Sequence, residues 1–449
     1  MENPDKNLNT IVSFSKQVDT RGFFGLIWMF ALLAVIAFGM VALITQLVKG
    51  HVVTGMRDNV VWGIYISNFI FFMGISYAGG IFSGILKLFR VPWRTPIIRI
   101  VQMISVTCGL IGPLYILLCI GRLDRLHLLF TKGRIPSPIT WDILAVITFM
   151  VGNMIFLFLS LVPDLAYLKD SKELRISKWR KKLYTFLSIN YKGTYQQIKD
   201  MRLSQDILAA ILIPISILLA TILSWIFGMT LRPGWNSTIF GPYFVFASLY
   251  SGVAVIIIIM WVFRKRYNLQ EFITKKHFNY LGTALVVLSL SYGYFTFNEY
   301  FTIWYSFEKW DAQLIDRLLD FKQYGWLFIF TNYVGILSPL IVIGIPWFRS
   351  INSIGIVSVL VVLGMWVKRY LIVIPTLETP LFPMQDTRPE FIHYSATWVE
   401  WGLTLSGVAL FLLIITLITK VVPIIQITEP VSEKLKALKA LKEKDDKKS

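Results

Sequence analysis

The sequence predicts an all-α, polytopic membrane protein of about ten transmembrane helices, on three observations. Mean hydropathy is +0.63 and only 16% of residues are charged, which sets the chain apart from a soluble domain. Ten apolar stretches are each long enough to cross about 30 Å of hydrocarbon, which takes a helix of roughly 20 residues. Runs such as Val255–Met260 lack the polar alternation of a membrane β-barrel, and a helix pairs its own backbone groups in lipid.

In chain order the stretches are 22–47, 61–88, 96–121, 139–168, 204–228, 239–263, 278–303, 324–345, 350–374 and 398–422. The first is too long for a signal-peptide core, and Gln46, Leu47, Val48 and Lys49 offer no small-residue cleavage site, so it is expected to remain as a span. Lys and Arg number 31 in the two terminal segments and alternate loops, against 13 in the intervening loops. The positive-inside rule then places both termini and the 169–203 loop in the cytoplasm, with 122–138, 304–323 and 375–397 outside. For a bacterial-type cell this means a multi-pass protein of the inner (cytoplasmic) membrane. The net charge of +18 reads as chemistry toward the bilayer surface and partner proteins. No basic face on a soluble domain suggests nucleic acid.

Within 169–203, the residues Ile176, Trp179, Leu183, Phe186 and Leu187 recur at helical spacing among Lys178, Arg180, Lys181 and Lys182, the pattern of a helix lying on the inner membrane surface. Val431, Leu435 and Leu438 repeat it more weakly in a lysine-rich tail. Two cysteines, Cys108 and Cys119, are too few for an iron–sulfur cluster, and the four histidines, His51, His127, His277 and His393, fall in loops or at helix ends, away from the depth a b-type haem ligand needs. The chain is therefore expected to carry no haem or iron–sulfur cluster, and no metal site.

Polar residues inside the spans cost free energy and call for a reason. The second span carries Tyr65, Asn68, Ser76, Gly79 and Ser83 on one stripe, with Gly80 and Gly84 as a small-residue pair that admits a close neighbour. The third has Arg99 and Gln102 at its inner end and Arg122 beyond its outer end, where Asp124 and Arg125 make a surface ion cluster the competing reading. The fourth runs from Trp141 and Asp142 through Asn153 to Pro163 and Asp164. Glu299 ends the seventh, Lys368 and Arg369 lie toward the end of the ninth, and Glu400 opens the tenth. Asp142, Arg122, Glu299, Arg369 and Glu400 share an outer-leaflet depth, with interfacial anchoring as the rival reading for each.

The segment Gly74–Arg99, with Tyr77, Ala78, Gly79 and Gly80 followed by Pro92, Trp93, Arg94, Thr95 and Arg99, resembles the second-to-third-helix region of the NrfD-like, or polysulfide-reductase membrane-subunit, family. More narrowly it is similar to the ten-helix quinol-oxidising subunit of alternative complex III. Gly121-Arg122, Ser137–Asp142, Leu161–Ala166, Phe297–Tyr300 and Gly364–Arg369 agree in order, so the likeness covers roughly 25–425. It implies two four-helix bundles plus two further helices, a quinone site toward the outer leaflet, and often a proton path through the bundles. The implied partners are an iron–sulfur subunit, of molybdopterin type in some relatives, on the outer face, with a multihaem cytochrome c and a paralogous NrfD-like subunit in some complexes.

The chain then divides into a cytoplasmic segment 1–21, a first bundle 22–168, a basic loop 169–203, a second bundle 204–345, two C-terminal helices in 350–422 and a basic tail 423–449. Quinone, such as menaquinone, is the expected substrate. Asp142 and Glu299 are the expected catalytic proton acceptors, since a buried carboxylate can take a quinol proton when its surroundings raise its pKa toward working pH. Tyr77, Asn68, Gln102 and Arg122 are the expected hydrogen-bonding groups, and Trp62 and Phe72 the walls of a ring slot. Asp164, Asn153, Arg369 and Glu400 are the expected proton path.

The alternative complex III pattern has a histidine before Ala-Gly in the second helix and an acidic residue in the third, where this chain has Tyr77 and Gln102. Tyrosine, with an ordinary pKa of about 10, accepts protons poorly at neutral pH. A quinone-inactive paralogue serving as anchor or proton-translocating subunit therefore stays open, as does a secondary transporter.

Overall fold

The computed structural model describes residues 23–170, 177–230, 232–306, 308–379 and 392–427. Among them the secondary structure is helical, with no strand, and ten helices are long and apolar enough to cross a membrane. Five spans precede the midpoint: α1 (Phe23–Lys49), α2 (Gly63–Leu88), α3 (Ile98–Cys119), α4 (Pro138–Asp170) and, after the amphipathic α5 (Lys178–Leu187), α6 (Tyr195–Gly228). Then come α7 (Phe240–Arg266), α8 (Lys275–Ser306), the short amphipathic α9 (Lys309–Leu319), α10 (residues 325–343), α11 (Ile351–Glu378) and α12 (Trp398–Val421). The chain is an all-α polytopic membrane protein.

Small residues decide which helices touch. On α2, Gly80 faces Ser216 of α6 and Phe149 of α4, while Gly84 faces Ala209 and Ile213 of α6. On the other side of α2, Gly74 and Ala78 meet Ser248 and Gly252 of α7. With no hydrophobic drive between helices in lipid, such close backbone approach is what dispersion contacts need. Hence α2 is the most enclosed helix, packing on α3, α6, α7, α11 and α12. One bundle consists of α2, α3, α4 and α6, and the other of α7, α8, α10 and α11. The remaining helices, α1 and α12, lie against each other and cover α2 and α3.

This grouping departs from the chain-order division at 168 and 345. The fifth span joins the first bundle and the ninth joins the second, so the peripheral pair is the first and last helix rather than the last two. The physical reason is the placement of small residues: Gly364 of α11 sits against Gly335 of α10, and Ser216 of α6 against Gly80, contacts no sequence order forces.

Only the first turns of α10 are α-helical; Phe330–Leu337 and Pro339–Ile343 are π-helical. Pro339 has no N–H, so the carbonyl of Gly335 loses its ordinary partner four residues on. Tyr250 Oη donates to that carbonyl at 2.6 Å, and Ser289 Oγ donates to the Ile336 carbonyl at 2.5 Å. The widened turns are held by side chains of α7 and α8.

The basic surface helix is present as α5, with Trp179 and Phe186 exposed. Its anchor is a residue outside the predicted apolar set: Tyr184 is buried and donates to the Val421 carbonyl at 2.7 Å. Ile176 and the tail with Val431, Leu435 and Leu438 lie outside the described residues. On the opposite face α9 lies across the second bundle through Leu314 and Leu318, and Asp311 accepts the Gly234 N–H at 2.9 Å. Burial raises the Asp311 carboxyl from its ordinary range.

Candidate functional site

Buried polar side chains fall into two tracks, one in each bundle. In the first bundle, Asp142 lies near the start of α4, buried, and among the described residues its Oδ1 meets no hydrogen-bond partner. Tyr77, from α2, presents its ring edge to Phe149 with centroids 5.5 Å apart, and its hydroxyl is likewise buried without a partner. The two groups lie within electrostatic reach of one another. Buried polar atoms are nearly always satisfied, so a neighbouring pair of orphans marks either a functional site or a place for a guest.

Below them the track is satisfied. Ser76 and Ser105 donate to each other's carbonyl at 2.6 Å, stitching α2 to α3, and Asn153 Nδ2 donates to Ser105 Oγ at 2.6 Å. Next, Ser160 Oγ donates to Gln102 Oε1 at 3.0 Å. At the Lys- and Arg-rich end, Arg99 pairs with Asp164 at 2.6 Å and also donates to the carbonyls of Ser160 and Pro423. Asp164 in turn accepts the Ile427 N–H. Twenty-two residues of α4 separate Asp142 from Asp164, about 33 Å at 1.5 Å per residue, the thickness of a hydrocarbon core.

The second track centres on Glu299 of α8, whose carboxylate pairs with Lys368 of α11 at 3.2 Å, both buried. Lys368 also donates to Tyr300 Oη and sits over the Tyr300 ring at 4.3 Å. Tyr243 and Tyr292 share a 2.9 Å hydroxyl contact and stack with centroids 5.0 Å apart, with Arg369 beside them. Arg369 donates to the Met365 carbonyl at 3.3 Å. A small cavity behind Glu299 and Tyr300 reaches Trp235, which stacks on Trp62 with centroids 6.1 Å apart.

The expected site residues thus separate. Asp142 and Tyr77 come together, with Asn153, Gln102 and Asp164 further along the same bundle. Glu299 and Arg369 belong to the other bundle, and Trp62 contacts that side through Trp235. Asn68 is engaged on both ends of its amide, donating to Thr404 Oγ1 and accepting from Trp366 Nε1, each at 2.8 Å, so it ties α2 to α12 and α11. Phe72 stacks on Tyr115 with centroids 5.8 Å apart. Arg122 is exposed and paired with exposed Asp124 at 2.9 Å, the surface ion cluster rather than a wall of a buried site.

Glu400 serves as a clamp. Its carboxylate accepts from the N–H groups of Gly55 and Thr397 and from Tyr394 Oη, closing a capping box on α12 and holding the 54–63 segment. Burial and that carboxylate push the Tyr394 hydroxyl well above its ordinary pKa, so it remains the donor. Lys368, Ser105 and the Tyr243–Tyr292 pair escaped the sequence reading; adjacent Lys368 and Arg369 point about 100° apart on a helix, and only the three-dimensional neighbours say which one meets Glu299.

The family model described as polysulphide reductase, NrfD matches residues 52–380. The chain belongs to the NrfD family. The matched region runs from α2 through α11, which is both bundles, and leaves α1 and α12 outside it. A likeness also appears pairwise: the chain is 30% identical over 240 residues to a protein of Halobacterium salinarum whose name reads "Putative dimethyl sulfoxide reductase membrane subunit". That alignment covers 53% of this chain, and the chain spans about half, 51%, of the curated relative's length.

Proposed function

We propose that this NrfD-family chain is the quinone-interacting membrane subunit of a respiratory oxidoreductase. It takes up menaquinol or menaquinone near the outer leaflet and exchanges electrons with an iron–sulfur subunit docked on that face, the redox centres residing in partners. The relative's name, a reductase membrane subunit, supports this division of labour. Both termini are assigned to the cytoplasmic side of the inner membrane, in keeping with the excess of Lys and Arg there.

The observation that carries the reading is the pair of buried orphans, Asp142 Oδ1 and Tyr77 Oη, at the head of a polar seam through the first bundle. Quinol oxidation releases two electrons and two protons. The electrons pass to the partner's cluster; Asp142, held in a protein-lined position, accepts a proton from a quinol hydroxyl, and Tyr77 hydrogen-bonds the ring oxygen. Glu299, already paired with Lys368, stands as a second proton-exchanging acid. Asn153, Gln102 and Asp164 lie along the route a proton takes toward the basic face.

Asp142→Asn keeps the shape and removes the proton acceptor. Quinol-dependent turnover of the purified complex is expected to fall by about 100-fold or more, with assembly of the complex unchanged. Unchanged turnover in both Asp142→Asn and Glu299→Gln would remove these acids from the chemistry. A proton-translocating role without quinone chemistry is favoured instead by the ion pairs Arg99–Asp164 and Lys368–Glu299, one per bundle. Under that reading the same variants alter proton release and leave quinone-analogue binding intact.

A further inference from the structure

A cleft of about 770 Å³ opens between α8, α9 and α10, on the side of the second bundle remote from Asp142. Its walls are Phe297, Phe301 and Trp304 of α8, Leu318 of α9, and Phe328 and Tyr333 of α10, several of them exposed toward lipid. Nothing in the first-bundle site uses it. Two further observations set it apart from an ordinary seam between membrane helices. One wall is the π-helical part of α10, a deformation that recurs at functional sites and is here actively held by Tyr250 and Ser289. Its inner end is Tyr300, which also lines the small cavity containing Glu299.

The polarity of that inner end selects the guest. An ammonium only donates, so in the Lys368–Tyr300 hydrogen bond the phenol oxygen is the acceptor. Tyr300 therefore retains its own proton for donation, and among the described residues no acceptor takes it. A carbonyl oxygen arriving through the cleft completes this chain. No Lys, Arg or His lines the cleft, and the Lys368 ammonium behind Tyr300 is already neutralised by Glu299. A phosphate-bearing lipid head would enter without a counter-charge, whereas a neutral head incurs no such penalty. Flat aromatic walls suit a planar ring, and the volume falls within the range of small-molecule sites, beyond the width of a single acyl chain.

We propose that this cleft is a second, lipid-accessible binding site for the planar, carbonyl-bearing head of a membrane quinone, with Tyr300 as the hydrogen-bond donor and the α8–α10 opening as its entrance. The proposal rests on the reading of the chain as a quinone-interacting subunit and adds a site in the other bundle.

The test is photoaffinity labelling of the intact complex in lipid nanodiscs with a menaquinone analogue carrying an azide, followed by peptide mapping. The expected result is label in the 289–304 and 328–340 segments, competed by excess menaquinone. Labelling there should fall at least tenfold in Tyr300→Phe, and equally in Gly293→Leu, which fills the cleft against Ile336 and covers the case in which the first variant does not fold. Label confined to α2, α3 and α4, unaffected by either variant, overturns the second site and leaves the proposed function standing. Label in the cleft that added phospholipid displaces and menaquinone does not overturns it in favour of a structural lipid. No competed label in either bundle overturns this inference and the quinone reading together.

Discussion

Arg99 and Asp164 show how much rests on single side chains here. Their pair is buried and sits at the end of a run of hydrogen bonds, so removing one partner strands the other's charge in a low-dielectric interior. Asp164→Asn should lower stability by about 3–5 kcal/mol, seen as a fall in melting temperature of the detergent-solubilised complex. The double replacement Arg99→Met with Asp164→Leu should recover part of that loss, because two apolar groups leave nothing unpaired. At this scale the sequence reading was uneven. Asp142 stood out because an acid beside a tryptophan at a span's edge is conspicuous, and it does prove buried with an unpartnered oxygen. Asn68 stood out for the same polar-in-apolar reason, yet its two partners, Trp366 and Thr404, come from helices about three hundred residues away. No local pattern carries that information.

Whole helices were far easier to read than their neighbours. Length and hydropathy locate all ten spans, since the bilayer imposes a minimum run of apolar residues on each. What a helix packs against depends on where Gly, Ala and Ser interrupt its surface, and these residues are common enough that no single stretch announces its partner. The π-helical course of α10 was similarly hidden, although Pro339 is its cause in part; the outcome needed Tyr250 and Ser289 from other helices to take the freed carbonyls. The Gly335–Gly364 contact offers a direct test. Gly364→Leu drives a side chain into the α10 backbone and should destabilise the complex by about 1–3 kcal/mol. Gly152→Leu on α4, where only Leu212 stands near and at ordinary contact distance, should cost much less in the same melting experiment.

Across the whole molecule, two bundles share α2 and α7 as a common wall while α1 and α12 form an outer layer. The proposed topology predicts that a cysteine placed at Lys181 on α5 reacts with a membrane-impermeant maleimide only after the cells are opened. One placed at Arg125 should react in intact cells. Reversal of that pattern would put the orphaned acid on the cytoplasmic side and exclude an outer-leaflet quinone site. The Lys368–Glu299 pair carries a consequence for how such a molecule is made. Its two members are 69 positions apart, so the carboxylate on α8 leaves the ribosome well before its cation. Until α11 emerges, α8 is a poor guest of the lipid, and the nascent chain has cause to linger in the insertion machinery. A ribosome-stalled chain ending at residue 345 would then be held by insertase or chaperone, while one ending at 425 would be released to the bilayer.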